Sequence, residues 1–402
     1  MTSTMASHEN HRDPSDIRRD ILSRVRLVVL KLGSSVVTTN DGLDFDTIKH
    51  IVEDVCTCRR GGRQFIIVTS GAVAAGVRRL NLREGAKTIP QKQAAASVGQ
   101  SRLMAAYEEA FELRGVQVGQ MLLTKDDLTH RQRYLNARNT LTTLLSWDVV
   151  PIINENDTVV VDEIKFGDND NLSALVATMA QADLLLTLSD IEGLMDCDPH
   201  LNPEACLIPI VEEITPELTK IAGDSSSRVG RGGMASKLQA ASVVRASGIP
   251  MVITRGKAPG IIRSVLNGEP RGTLFLPAPE RMSTRKHWIL YTLEPEGTLH
   301  VDAGAAAAIV QHGKSLLPIG VTSVEGHFEP GAAVHVVDEA GSRLAVGLAN
   351  YGSEEMARIK GHQTWEIDWI LGFRRNDEAI HADNLVVIAS TNGLAPGLTQ
   401  CS

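Results

Sequence analysis

No stretch of this 402-residue chain approaches the roughly 20 apolar residues of a membrane-spanning helix. The first twenty-odd residues carry Asp13, Asp16, Arg18, Arg19 and Asp20 without an apolar segment. They do not read as a secretory signal, and their mixed charge fits a transit peptide poorly. Cysteine is scarce and odd in number. Cys56, Cys58, Cys197, Cys206 and Cys401 lie scattered, which points to reduced thiols and a cytoplasmic location. Cys56-Thr57-Cys58 lacks zinc-finger spacing and a second half, so it reads as two ordinary helix residues and no metal site is expected. The twelve histidines include no H-E-x-x-H pair, and no G-x-S-x-G elbow marks a serine hydrolase. There is no basic excess either. The net charge is −8, and residues 285–388 hold eight Lys and Arg against fourteen Asp and Glu. Tight binding to a nucleic-acid backbone depends on basic patches, so that acidic stretch disfavours RNA as a partner.

What the chain does have is the composition of an ordinary globular protein, 43% apolar and 22% charged. Its length suggests two domains. Residues 25–277 alternate β-rich runs with helical stretches. Strands are expected at 25–32, 65–69, 119–123, 149–153, 184–188 and 251–254. A long helix begins near Pro90, repeats Leu103, Tyr107 and Phe111 on one face, and ends before Gly115. Strands alternating with helices imply an α/β three-layer sandwich around a mostly parallel sheet. After Pro277-Ala278-Pro279 the pattern shifts to short alternating runs with glycine turns. Val334–Val337 and Leu344–Leu348 read as a hairpin, and Ala303–His312 as a small-residue helix. The expected layout is a flexible extension (1–24), an α/β domain (25–277), a linker (278–285), a mainly-β domain (286–388) and a loose tail (389–402).

Ligands of open parallel sheets bind beyond the carboxyl ends of the strands. Lys31, Gly33, Ser70, Gly71, Asn154 to Asp157, Ser189 and Asp190 all fall at such ends. Lys31 closes a buried strand, where an ammonium is costly unless it meets an anion or snorkels to the surface. Ser70-Gly71-Ala72 follows a strand and opens a helix, a place where backbone N–H groups hold anions; Gly76 is equally explained by tight helix–sheet packing. Asn154-Glu155-Asn156-Asp157 and Gly167-Asp168-Asn169-Asp170-Asn171 are dense polar clusters. They suit turns and helix caps, or a lid carrying groups for a substrate with an ammonium and carboxylates. Gly230-Arg231-Gly232-Gly233-Met234-Ala235-Ser236-Lys237 is neither a dinucleotide fingerprint, for want of a buried strand before it, nor a Walker A loop. It still suits a clamp over phosphates. Two lysines, glycine-loop N–H groups and no catalytic histidine motif point to a phosphotransferase.

These segments together resemble the amino-acid-kinase family, and within it the branch that phosphorylates glutamate. The matching stretches are Val28–Ser35, Val68–Ala72, Val98–Leu103, Ile153–Asp157, Gly167–Leu175, Ala222–Ser225 and Gly232–Ala241, in family order. Residues 286–388, through Val301–Gly304 and Ser315–Gly320, look like a PUA domain, a small mainly-β pseudo-barrel. The resemblance implies ATP-dependent phosphorylation of the glutamate side-chain carboxylate, with Mg²⁺, as the first step toward proline. It implies that Lys31 and Lys237 stabilise the transferring phosphoryl group and that Asp170 orients them. Ser70, Gly71, Asn154, Asp157, Asp168 and Asn169 would hold glutamate. Lys31, Gly33, Ser189, Asp190 and the segment Arg231, Gly232, Gly233, Met234, Ala235, Ser236 and Lys237 would hold ATP. It further implies a homo-oligomer and feedback inhibition by proline. A sibling kinase acting on another carboxylate, a carbamate or a nucleotide phosphate is the nearest alternative; an RNA-binding protein is the alternative from another class.

Overall fold

The computed structural model describes residues 13–39, 41–82, 84–159, 168–198, 202, 204–223, 233–279 and 281–388. The chain divides into two compact units, Met1–Arg281 and Met282–Ser402.

In the first unit the strands are β1 (Leu27–Leu32), β2 (Thr38–Thr39), β3 (Gly42–Leu43), β4 (Gln64–Val68), β5 (Val118–Leu123), β6 (Val150–Glu155), β7 (Leu184–Ser189), β8 (Ile210–Val211), β9 (Met251–Arg255) and β10 (Thr273–Phe275). Eight of them form one sheet in the order β5-β6-β4-β1-β7-β9-β10-β8. All pairings are parallel except β9 with β10. The six expected strands are all present. The helices are α1 (Pro14–Ser23), α2 (Ser34–Val37), α3 (Phe45–Arg60), α4 (Ala72–Arg79), α5 (Ile89–Glu112), α6 (Lys125–Thr129), α7 (Arg131–Ser146), α8 (Asp168–Ala180), α9 (Pro216–Gly223), α10 (Met234–Ala246) and α11 (Ile261–Leu266).

Strand periodicity explains the layers. Val28, Leu30 and Leu32 of β1 join Phe65, Ile67, Leu184, Leu186 and Leu188 in a core with residues of α3, α5 and α11. Alternation sends Val29 and Lys31 to the opposite face, where α8 and α10 pack on each other and α8 on β1. The sequence reverses direction at β1: β4 lies on one side and β7 on the other. Such a switch point opens a crevice at the carboxyl ends of the strands.

The long helix α5 starts with a capping box between Thr88 and Gln91 and buries Leu103, Tyr107 and Phe111 completely. Gly115 takes a left-handed φ of +68°. Cys56 and Cys58 lie buried in α3. Gly76 packs against a helix rather than the sheet. A Cβ there would sit 1.7 Å from Ala95 O, and one at Gly99 would sit 1.8 Å from Ala72 O, so α4 and α5 touch backbone to backbone.

Residues 14–23 correct the expected flexible extension. They form α1, capped by Asp13, and Arg18 and Leu22 are buried. The Arg18 guanidinium donates to the carbonyls of Pro209, Arg271 and Gly272 at 2.7–2.9 Å. A buried charge with that many acceptors is satisfied, which ties the helix down.

In the second unit, α12 (Thr284–Tyr291) precedes a five-stranded sheet in the order β12-β11-β13-β14-β15, with β11 (Gly297–Val301), β12 (Val321–Gly326), β13 (Ala333–Val337), β14 (Arg343–Leu348) and β15 (Leu385–Val387). The β13–β14 hairpin and the helix α13 (Ala303–His312) match the sequence reading. The expected tail, 389–402, lies outside the described residues. No helix among the described residues is long and apolar enough to cross a membrane.

Candidate active site

Lys31 is the fifth residue of β1, flanked by Val68 on β4 and Thr187 on β7. Its side chain leaves the sheet on the face that α8 covers, and the residue is only 5% exposed. Its ammonium forms an ion pair with Asp170 Oδ1 in the first turn of α8. Lys237, in the first turn of α10, lies 3.4 Å from Asp170 Oδ2. Ser236 Oγ donates to the same Oδ2 at 2.7 Å. Two cations separated by 206 positions in sequence thus share one carboxylate that is 1% exposed.

The electrostatics follow from that packing. Burial alone would push the Asp170 carboxyl up; Lys31 and Lys237, with hydrogen bonds from Lys31 and Ser236, hold it below the usual carboxylate range. Burial drives the Lys31 ammonium down from its ordinary value, and Lys237 adds to that, against the opposing pull of Asp170 and Asp190. Both helix N-termini point positive dipole ends at this place. The result is a region where two ammonium groups meet over the buried Asp170 carboxylate, with Asp190 acting on Lys31 as well.

A second cluster adjoins it through the chain itself, since Asn169 precedes Asp170. Asn169 Nδ2 donates to Thr69 O (2.9 Å), Ser70 Oγ (2.8 Å) and Asn154 Oδ1 (3.1 Å). Asn154 Nδ2 donates to Gln100 Oε1 at 2.8 Å. Gly71 caps α4 with φ +102°, a left-handed conformation that favours glycine, and a Cβ there would crowd Thr38 Cγ2 at 3.1 Å. Behind Ser70, the buried Thr69 and Tyr107 hydroxyls pair at 2.8 Å. Asp157 is half-buried after β6. The sites expected for glutamate at Ser70, Gly71, Asn154 and Asn169 therefore converge. Asp168 starts α8, but its side chain lies outside the described residues.

Of the residues expected around the nucleotide, Gly33 follows β1 and donates its N–H to Leu188 O at 3.1 Å. Ser189 ends β7 and donates to Asp190 Oδ1 at 2.9 Å; Ser189 is buried and Asp190 exposed. Gly233 caps α10, with Met234 half-buried and Ala235 exposed behind it. Arg231 and Gly232 lie outside the described residues, as do residues 160–167 of the expected lid.

Sequence reasoning did not assign Gln100, Thr69 or Tyr107 to the site. Gln100 sits in Val98–Leu103, a stretch noted only for its resemblance, and it reaches Asn154 across 54 positions. Ser236 was expected on the nucleotide; its hydroxyl rests on Asp170.

Comparison with known proteins agrees with this geometry. The amino acid kinase family model matches residues 26–255, and the PUA domain model matches residues 297–371. The Glutamate 5-kinase of Geobacter sulfurreducens is 52% identical over 373 residues, covering 92% of this chain and 100% of that protein. The Glutamate 5-kinase of Pelobacter propionicus is 50% identical over the same shares. A solved UMP kinase from Ureaplasma parvum overlays 63% of this chain and 99% of its own, with a TM-score of 0.45 at 16% identity, too distant to bear on function. The chain belongs to the amino acid kinase family and groups within it with the glutamate 5-kinases.

Proposed function

We propose that this chain transfers the terminal phosphoryl group of ATP to the side-chain carboxylate of L-glutamate, forming glutamyl 5-phosphate, the first step of proline biosynthesis. The observation that carries this reading is the sharing of Asp170 by Lys31 and Lys237, beside the Ser70–Asn169–Asn154 cluster.

A glutamate side chain, with an ordinary pKa of about 4.3, arrives ionised at neutral pH and is already a nucleophile. No general base is required. The obstacle is repulsion between that carboxylate and the polyphosphate. Two ammonium groups held at fixed positions oppose it, and they strengthen as charge spreads over the transferring oxygens. Asp170 keeps the two cations from repelling each other when no phosphate is bound. Ser189, Asp190 and the start of α10 supply the nucleotide side; Ser70, Asn154, Asp157 and Asn169 supply the glutamate side.

Among the described residues no three acidic, histidine or cysteine side chains gather into a metal cage. Asp170 is engaged by two lysines. Mg²⁺ commonly keeps most of its ligands from nucleotide phosphates and water, so we place it with the ATP and assign it no residue of this chain. The reaction belongs in the cytoplasm, where ATP and free glutamate meet. Homo-oligomerisation and inhibition by proline rest on the resemblance alone. The second unit receives no RNA assignment, given its acidic balance.

ADP release measured with L-glutamate, L-aspartate, N-acetylglutamate, carbamate and UMP tests the assignment. Glutamate is expected to be preferred over each of the others by at least ten-fold in kcat/KM. Preference for another acceptor would move the chain to a sibling activity.

A further inference from the structure

The amide groups of the glutamate-side cluster have only one self-consistent orientation. Thr69 O is a carbonyl and accepts only, so the Asn169 atom 2.9 Å from it is the amide nitrogen. Its two protons are shared among Thr69 O, Ser70 Oγ and Asn154 Oδ1. Because Asn154 presents its oxygen to Asn169, it presents its nitrogen to Gln100. Gln100 therefore offers its oxygen to Asn154 and turns its own Nε2 the other way. A backbone carbonyl thus fixes three side-chain amides in a row.

Two atoms at this row are buried and have no hydrogen-bond partner among the described residues: Gln100 Nε2, a double donor, and Asn169 Oδ1, an acceptor. Buried unpaired amide atoms are costly, and such sites in native structures ask for a ligand. The order of the row gives the direction. Asn169 adjoins Asp170 and the lysines, whereas Gln100 lies two hydrogen bonds further on. The reacting carboxylate belongs at the lysine end. A donor at the far end faces the other end of the substrate.

We propose that Gln100 determines substrate specificity by donating its Nε2 protons to the α-carboxylate of glutamate, while Asn169 Oδ1 accepts from the α-ammonium. This rests on the glutamate-kinase reading above. It assigns to the substrate a residue outside the set expected from sequence. A site with a buried donor rejects analogues that cannot accept from it, because the donor is then left unpaired.

The test compares the full-length wild type with Gln100→Glu on L-glutamate and on its α-amide. The α-amide keeps the side-chain carboxylate but carries a carboxamide in place of the α-carboxylate. Glu at position 100 still accepts from Asn154, so the row keeps its order, while the donor becomes an anion. ADP release gives kcat and KM, and calorimetry gives Kd for both compounds. The expected result is a rise of roughly 10- to 100-fold in glutamate KM and Kd, a smaller change for the α-amide, and an unchanged KM for ATP. The preference for glutamate over the α-amide should fall at least ten-fold. Equal losses on both compounds would show that Gln100 only props Asn154, and would overturn the inference. So would an unaltered preference. If Gln100→Glu does not fold, Gln100→Met, which removes the donor without adding charge, should raise glutamate KM about ten-fold and the KM of the α-amide by less, because a carboxamide carbonyl also accepts but more weakly than a charged carboxylate; a loss on glutamate no larger than that on the α-amide overturns the inference as well. A wild type that releases no ADP with glutamate defeats the activity assignment. An active wild type with an indifferent Gln100→Glu defeats this inference alone.

Discussion

Lys31 shows how one residue's surroundings set its chemistry. Its side chain leaves the sheet on the face covered by α8 and α10, which keeps the ammonium inside the molecule. The cost of that burial appears as an ammonium that gives up its proton more readily than an exposed lysine. The sign of the consequence is fixed. A lysine whose value lies below the ordinary one is neutral at a lower pH, so its contribution to phosphoryl transfer fades earlier as pH rises. The profile of kcat/KM for ATP, taken with glutamate saturating so that the amino acid's own titration does not enter, should therefore show an alkaline limb with its midpoint below about 10.4, the ordinary lysine value. A profile flat up to and beyond that value would contradict the burial argument. At this scale the sequence was informative where a residue's neighbours along the chain define its place. Lys31 ends an apolar run, Ser70 and Gly71 link a strand to a helix, and Lys237 follows three small or flexible residues into one. Gln100 and Tyr107 escaped because their partners, Asn154 and Thr69, are 54 and 38 positions away. Nothing in helical periodicity distinguishes a glutamine that faces an asparagine from one that faces water.

Among the elements, the α4–α5 pair holds the glutamate side in place. Gly71 begins α4, and Gly76 and Gly99 let α4 approach α5 without side chains between them. Adding a methyl group to such a contact requires the backbones to separate, at a cost of typically 1–3 kcal/mol or more. Gly99→Ala should lower the melting temperature by several degrees. It should also raise glutamate KM more than ATP KM, because α4 carries Ser70 and Gly71 at its entry and not the nucleotide side. Equal changes in both constants would mean that α4 has no special link to glutamate. Five of the six long strands, β1, β4, β6, β7 and β9, were legible because each is a nearly continuous apolar run buried on both faces, while the edge strand β5 showed through its apolar end Met121–Leu123. The two- and three-residue strands β8 and β10 were not, since so few residues carry no period. The helix α1 was hidden for a different reason. Its sequence is mostly charged, and beside Leu22, which enters the core, it is anchored by an arginine meeting carbonyls from as far as 254 positions away, a long-range fact with no local trace.

At the level of the whole molecule, each unit encloses its own apolar core. Among the described residues, one core draws on residues from Ile21 to Leu276 and two others on residues from Met282 to Ile388. A chain ending at residue 281 should therefore fold cooperatively, with a single unfolding transition by circular dichroism; a soluble but non-cooperative product, or none, would place part of the first core beyond that point. The same long-range assembly creates the chemistry. The sheet brings the end of β1 under the first turns of α8 and α10, and only the complete first unit joins Lys31, Asp170 and Lys237. The most direct measurement is the steady-state kinetics of Lys237→Ala with glutamate as the varied substrate. An ammonium that acts mainly on the transferring phosphoryl group should cost roughly 10²–10³-fold in kcat, with glutamate KM within about three-fold of wild type. A kcat within a few-fold of wild type, or a loss confined to glutamate KM, would contradict the account.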